Sequence, residues 1–331
     1  MAYIYKKIVA GKDYYYLRVS KRQGKRIIAK DIAYLGSTLD EVRAALVKLP
    51  QKQVRVAYKT INRFLESNTW IEQVKKLKLK QSPFLDKSLL EQVEACRMHW
   101  QKVFVKKDER TKQEHFKHFI IDFAFNTASI EGNTITLKEA HRLLAEQLAP
   151  KDKTLREIYD IQNTERVFIN LVDKFCDVSH ETAIDIHREL IKNVDERVGY
   201  RTGDVHVILS RFASTPAVYV KSDMNVLLKW YKDNKTKLHP LVVSGIFHHK
   251  FEKIHPFFDG NGRTGRMLLN MILLCSNYPP LIVRKRNRAA YLDALSAADR
   301  TDLTEAKPEH YKKLIEFLAV ELIETYWNLF L

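Results

Sequence analysis

IHPFFDGNGRTGR, at residues 254–266, lies between two apolar stretches with helical spacing, 238–254 and 267–276. This position predicts a turn that opens a helix, where free N–H groups and the positive end of the helix dipole attract anions. Gly260 and Gly262 let the backbone close around a phosphate. The segment therefore predicts two core helices joined by a phosphate-binding loop.

The charged side chains of this loop suit the binding and reaction of a nucleotide. Arg263 and Arg266 are three residues apart, so both guanidinium groups share one helix face and can grip two phosphates. Asp259 supplies hard oxygen ligands of the kind that Mg²⁺ prefers. His255 can accept a proton near neutral pH. Together these groups predict the attack of a hydroxyl on a metal-bound nucleotide phosphate.

Taken alone, a Gly-Asn-Gly turn or a histidine before proline is usually structural, but the complete pattern is specific. His255-x-Phe257-x-Asp259-Gly260-Asn261-Gly262-Arg263-x-x-Arg266 resembles the full signature of the Fic family, whose members transfer AMP from ATP to hydroxyl side chains of proteins. The resemblance implies that His255 is the base and that Asp259 holds Mg²⁺. It also implies a set of phosphate-binding residues, namely Gly260, Asn261, Gly262, Arg263 and Arg266.

A second segment, TASIEGN at residues 127–133, resembles the autoinhibitory motif of the same family. In that class the motif ends a helix N-terminal to the core, here at about 113–132. The resemblance implies that Glu131 pairs with Arg266 and occupies the guanidinium that the γ-phosphate of ATP requires. Considered without the loop, Glu131 followed by Gly132 is more typical of an ordinary helix C-terminus.

The resemblance covers about residues 110–300 and extends to the base and the target. Tyr291 falls where relatives place an aromatic ring against adenine. Asp299 stands where some relatives have an asparagine that contacts the base, which makes a preference for adenine less secure than the phosphate chemistry. Residues 201–220 are read as a short hairpin at the place of the family's flap, which adds its edge to the target as an extra strand.

For three further histidines, the sequence context favours structural roles. His187 shares a helical face with Ile184 and Leu190, which is typical of a packed core histidine. His248 and His249 precede His255 and suggest zinc, but no Cys or acidic residue has the spacing of a further ligand. The sequence therefore favours magnesium, brought with ATP, as the metal.

Composition limits the class of protein and its location. Three scattered cysteines predict neither a disulfide framework nor a zinc site and suit a reducing compartment. The first residues lack the apolar region of a signal peptide, and the most apolar run, 267–275, is too short to cross a bilayer. We therefore predict a cytoplasmic protein without a membrane partner.

The formal charge of +16 is concentrated in the N-terminal third, because residues 1–110 hold 25 Lys and Arg against 11 Asp and Glu. Within it, three β-prone runs in residues 4–36 predict a small β-meander. Tyrosines and basic residues interleave there, which suits nucleic acid or, slightly better, a docking or dimerisation module. The residues considered for nucleic-acid contact are Tyr14, Tyr16, Lys21, Arg22, Lys25 and Arg26.

The sequence as a whole predicts a mainly α fold, in which a Fic-type helical core with a β-hairpin flap follows the meander and a helical connector. The predicted domains are residues 1–36, 37–109 and 110–331. The predicted function is a protein adenylyltransferase that is autoinhibited by Glu131 and uses ATP, Mg²⁺ and a protein target, with the chain itself among the candidate targets. The alternatives are an enzyme that removes AMP by means of Glu131, and a nucleotide-sensing regulator that binds nucleic acid; a homodimer also fits.

Overall fold

The computed structural model describes residues 2–24, 26–50, 54–55, 57–174, 177–205 and 214–331. The chain divides into a smaller unit, residues 1–79 with Leu331, and a larger unit, residues 80–330. This division differs from the boundaries at 36/37 and 109/110 that the sequence suggests. The reason is that the strands share one core with the helices that follow them, while the helix at 87–102 packs within the larger unit.

The smaller unit is an antiparallel three-stranded sheet with two helices on one face. The strands follow in the order β1 (Ala2–Val9), β2 (Lys12–Gln23) and β3 (Arg26–Gly36), which confirms the predicted meander. The helices are α1 (Leu39–Lys48) and α2 (Tyr58–Lys75). Alternation along the strands sends every second side chain toward these helices. The resulting core contains Ile4, Tyr15, Leu17, Val42, Ile61 and Leu65.

The regular elements of the larger unit are all helices in its described residues, which confirms the predicted mainly α fold. Short 3-10 helices occur at Phe104–Lys106, Ala217–Tyr219 and Lys285–Asn287. None of the described helices is long and apolar enough to cross a membrane. The α-helices are α3 (Lys87–Lys102), α4 (Glu109–Ile130), α5 (Leu137–Ala145), α6 (Leu155–Lys174), α7 (His180–Leu190), α8 (Val220–Asn234), α9 (Pro240–Ile254), α10 (Asn261–Cys275), α11 (Arg288–Ala298) and α12 (Pro308–Leu329).

Helices α9 and α10 form the centre of the larger unit, and small residues let their neighbours approach closely. A Cβ atom on Gly245 of α9 would lie 2.6 Å from the Ile315 side chain of α12. A Cβ atom on Gly265 of α10 would lie 2.7 Å from Oε1 of Glu252 and 2.8 Å from Nδ1 of His248, both on α9. Because both helices are buried on all sides, the loop between them is held on a rigid base.

Two details differ from the sequence reading. Helix α10 begins at Asn261 rather than at 267, so most of the predicted phosphate loop already forms the first helical turns. Part of the predicted flap, residues 206–213, lies outside the described residues, but its expected second strand is wrong for residues 217–220. There Ala217–Tyr219 form a 3-10 helix and Val220 begins α8, since the Ala217 N–H donates to Oδ1 of Asp204 at 2.7 Å and starts the helical turn.

Candidate active site at the start of helix α10

The turn that follows α9 positions His255. His255 ends the helix in the left-handed conformation, with φ 53° and ψ 60°, which is unfavourable for a residue with a side chain. Buried Arg201 holds this turn, because its Nε donates to the His255 carbonyl at 2.8 Å and its main-chain N–H donates to the Pro256 carbonyl at 2.9 Å. Arg201 is thus a supporting residue that its own sequence context did not single out.

Asn261 and His187 stabilise the loop from within. The Asn261 amide accepts from the Phe257 N–H and donates to the Phe257 carbonyl, each at 2.8 Å, so its side chain braces the loop rather than facing outward. The His187 ring stacks on Phe257 with centroids 3.7 Å apart, and its Nε2 donates to the Asp259 carbonyl at 3.0 Å. Burial lowers the pKa of His187 to about 4, so the ring is neutral at pH 7. His187 is therefore a packed core histidine, as expected from its helical face.

The glycines of the loop leave room for an anion. Gly260 has φ 77°, a left-handed conformation that favours glycine, and it caps the start of α10. At Gly262 any Cβ atom would overlap with Oε1 of Glu131. A carboxylate therefore lies directly against the first turn of α10, in the position where a helix N-terminus attracts negative charge.

The structure contains the pair between Glu131 and Arg266 that the sequence resemblance implied. Arg266 Nη2 donates to Oε1 of Glu131 at 2.7 Å. The same guanidinium is oriented by Thr127, whose hydroxyl accepts from Nε at 2.7 Å and whose carbonyl accepts from Nη2 at 3.1 Å. Glu131 is also the C-cap of α4 and is followed by Gly132 with φ 101°, so the ordinary helix-end reading holds as well.

Arg263 has different partners from Arg266, which pairs with Glu131 and Thr127. Its buried guanidinium donates to the Asp160 carboxylate on α6, and Nη2 lies 3.7 Å from Oδ2 of Asp259. Burial raises the pKa of Asp160, while the charge of Arg263 opposes this. Arg156, one turn before Asp160 on α6, pairs with Oδ2 of Asp259. The spacing of four residues places Arg156 and Asp160 on one helix face, but only tertiary packing shows that this face meets the loop.

Asp259 fits a magnesium ion through its chemistry. Its carboxylate is 29% exposed and offers hard oxygen atoms, although Oδ1 accepts from the Gly260 N–H at 2.7 Å and Oδ2 is paired with Arg156. In the described part of the chain, no group of three or more His, Cys, Asp or Glu side chains is placed to hold a metal. Mg²⁺ commonly binds through one carboxylate together with substrate phosphates and waters, so a single aspartate suffices.

The environment of His255 suits a base. Burial lowers the pKa of His255 below its ordinary value, while the Glu252 carbonyl and the charge of Glu131 act in the opposite direction. A lowered pKa leaves the imidazole neutral at pH 7, which is the form that accepts a proton.

Tyr291 and Asp299 are turned toward the interior. Tyr291 is 1% exposed, its hydroxyl pairs with Nε2 of His248, and its ring lies nearly parallel to the His248 ring at 5.9 Å. Asp299 Oδ1 accepts from Nε2 of His249 at 3.1 Å, and Nδ1 of His249 pairs with the Tyr311 hydroxyl at 3.2 Å. The contact of Tyr291 with adenine stays a prediction, and in this conformation it would require the ring to move.

Glu252 is a buried acid next to the site that the sequence reading missed. Within the described residues its Oε1 has no hydrogen-bond partner, and it lies 3.9 Å from Nδ1 of His248. Burial raises the pKa of Glu252 to about 8, although the positive charge of Arg266 opposes this and the charge of Glu131 adds to it. Glu252 is therefore protonated at pH 7.

Glu252→Gln tests this protonation state. The native carboxyl holds its proton up to about pH 8 whereas the unfolded one releases it near 4.5, so the wild type loses stability as pH rises through this window. The neutral amide lacks this dependence. From pH 6 to pH 8 the variant should therefore gain about 1–2 kcal/mol over the wild type in unfolding free energy, measured with urea. An equal difference at both pH values would contradict a protonated Glu252.

Fold and site together define a helical domain whose central helix begins in an anion-binding loop with a neighbouring histidine. Residues 177–273 match the model of the Fic/DOC family. The chain therefore contains a Fic/DOC domain over these residues. The matched region contains the loop, His187, Arg201 and Glu252, but not the groups contributed by α4, α6 and the chain after α10.

Known proteins with similar sequences and folds agree with this assignment. The protein adenylyltransferase fic-1 of Caenorhabditis elegans is 30% identical over 187 residues, which cover 55% of this chain and 37% of that protein. A Fic family protein of Desulfovibrio desulfuricans is 26% identical with a TM-score of 0.59 over 75% of each chain. A Fic-domain signalling protein of Bacteroides thetaiotaomicron has the same fold, with 19% identity and a TM-score of 0.65 over 72% of this chain and 94% of that one. The chain spans less than half of the length of the curated relatives it matches first.

Proposed function

We propose that this protein transfers AMP from ATP to a hydroxyl side chain of a protein. The observation that carries the proposal is the loop at the start of α10, where a neutral histidine lies beside an anion cradle that already holds a carboxylate. The names of the related adenylyltransferases support the same reaction. The residues that take part are those of the signature, with Glu131 as the restraint.

The reaction forms a bond between the target oxygen and the α-phosphorus of ATP and breaks the bond between that phosphorus and the bridging oxygen of the β-phosphate. His255 takes the proton of the attacking hydroxyl, and pyrophosphate leaves with the electron pair. The amides at the start of α10, opened by Gly260 and Gly262, stabilise negative charge on the phosphates. Asp259 would hold Mg²⁺, which neutralises phosphate charge when bound with the nucleotide.

Glu131 restrains this reaction by occupying the cradle. Its carboxylate lies against Gly262 and pairs with Arg266, which is otherwise the cation suited to the terminal phosphate of ATP. Two negative groups cannot share one buried guanidinium without a large repulsion. A nucleotide that binds while Glu131 is in place is therefore held away from the productive position.

The proposal is tested by incubating the protein with ATP labelled on the α-phosphate, Mg²⁺ and a cell lysate, and by reading label on protein after gel separation. A parallel sample with γ-labelled ATP separates AMP transfer from phosphate transfer. Label from the α-position alone is the expected result. Label from the γ-position, or no label from a folded protein with Glu131 removed, would overturn the proposal.

A second candidate function is the removal of AMP from a modified protein. The Glu131 carboxylate is 45% exposed and lies against the cradle, where it could orient a water molecule toward a bound phosphate. Release of AMP from a target that carries it, lost in Glu131→Gln, would support this reaction. Unchanged release in that variant would exclude Glu131 from such a role.

Arg156→Ala tests whether the arginine on α6 competes with magnesium for Asp259. The Arg156 side chain is 58% exposed, so its loss should leave the fold intact and free the Oδ2 atom of Asp259. We expect the Mg²⁺ concentration that gives half of the thermal shift in the presence of ADP to fall by about 2- to 5-fold, in line with an exposed ion pair. Arg188→Ala, at a similarly exposed arginine of α7, is the control. Equal midpoints for both variants would show that Arg156 does not compete with the metal.

A further inference from the structure

The three-stranded sheet has a second face that the helices do not cover. In the register of the strands, Tyr5 lies opposite Tyr16 and Tyr16 lies opposite Tyr34, so all three are in one row on the face away from α1 and α2. Tyr16 and Tyr34 have ring centroids 5.3 Å apart, and Tyr34 is 53% exposed. We call this surface the tyrosine face; its tyrosines are Tyr3, Tyr5, Tyr14, Tyr16 and Tyr34.

The tyrosine face contributes little to the core of the smaller unit. That core is formed by the alternate side chains, such as Ile4 and Leu17, which are buried against the helices. Aromatic side chains bring a large apolar area to the surface, and clusters of them mark binding surfaces more often than isolated residues do. A ligand-binding surface therefore explains the row of tyrosines better than a role in packing the core of the smaller unit does.

The segment that carries these rings has a strongly positive net charge. Residues 2–36 contain nine Lys and Arg but only two Asp. Both acids are already neutralised, since Lys6 pairs with Asp13 at 2.7 Å and Arg18 pairs with Asp31 at 2.5 Å. The Arg18 guanidinium also lies 3.4 Å from the centre of the Tyr5 ring. Over residues 1–79 the balance is 18 Lys and Arg against 6 Asp and Glu, which is +12 of the net charge of +16.

We propose that the tyrosine face binds single-stranded nucleic acid. Unpaired bases stack on exposed aromatic rings, and the phosphates between them are attracted to a positively charged surface. In a duplex the bases stack on one another and are not available to a flat sheet. An acidic peptide would match the positive charge, but it has no bases to stack on the row of tyrosines. This binding goes beyond AMP transfer and does not depend on it.

The test uses the full-length protein and fluorescence anisotropy with a labelled 20-nucleotide single strand, as DNA and as RNA of the same sequence, and with the DNA duplex. We expect the single strands to bind more tightly than the duplex, and binding to weaken as salt rises. Tyr34→Ala should weaken single-strand binding about 10-fold, as expected for one lost stacking contact. Lys7→Gln, on the same face, should lower the slope of log affinity against log salt by about 0.7.

The control removes the same charge from the helical side of the unit. Lys48→Gln and Lys59→Gln change exposed lysines of α1 and α2, and the salt slope should stay as in the wild type. Three results would overturn the proposal: no binding of either single strand at 50 mM salt, equal affinity for polyglutamate of the same charge, or full affinity in Tyr34→Ala. Unequal affinities of the DNA and RNA strands would show which of the two the face prefers.

Discussion

Replacing His255 with alanine is expected to lower AMP transfer by about 10²- to 10⁴-fold, the usual range for the loss of a general base. The attacking hydroxyl then has no nearby group to take its proton. Nucleotide binding should persist, because the loop amides, Arg263 and Arg266 remain. The measurement is single-turnover transfer of α-labelled AMP, made in protein that also carries Glu131→Gly, so that the restraint does not mask the loss of the base.

The pH profile separates a base from a merely structural histidine. Transfer should fall as pH drops through the pKa of His255, which burial holds below its ordinary value, so the rate should be flat near pH 7. His255→Asn keeps a polar side chain at the left-handed turn and serves as the matched variant. A wild-type rate in either His255 variant, with ATP still bound, would remove this residue from the base role.

The loop and the central helices were predictable because their determinants are local. The glycines and charged residues of 254–266 follow one another in sequence, and the apolar spacing on either side predicts α9 and α10. The strands of the meander were predictable for the same reason, since β-prone runs alternate with turn residues. Each of these features can be read within a window of about 15 residues.

The residues that the sequence reading missed act from a distance. Arg201 contacts the turn 54 positions later, and Arg156 and Asp160 contact Asp259 and Arg263 103 positions later. No local pattern specifies such pairs, because they depend on how helices pack. Glu252 lies near the motif, but its raised pKa follows from burial against α10, which spacing alone does not reveal. Burial of Tyr291 is a tertiary property of the same kind.

Replacing Glu131 with glycine is expected to raise AMP transfer by about 10- to 100-fold. The change removes the carboxylate from the cradle and leaves Arg266, still oriented by Thr127, free to bind the terminal phosphate of ATP. A hydrogen bond between charged groups contributes about 1.5–3 kcal/mol. In the wild type, ATP must offset this free energy to displace Glu131 from Arg266. Glycine at position 131 introduces no strain, because this residue is the C-cap of α4 and not part of the helix interior.

Initial rates with α-labelled ATP and the dissociation constant of ATP, measured together, identify the origin of the gain. Glu131→Gln, which removes the charge but keeps the length of the side chain, should give an intermediate rate. Glu146→Gly, at an exposed glutamate at the end of α5, should behave as the wild type. An unchanged rate in folded Glu131→Gly would mean that the pair with Arg266 is structural only. A higher rate with unchanged ATP affinity would mean instead that Glu131 displaces the nucleotide from its productive position without excluding it, since only the pose of the α-phosphate relative to His255 would then have changed.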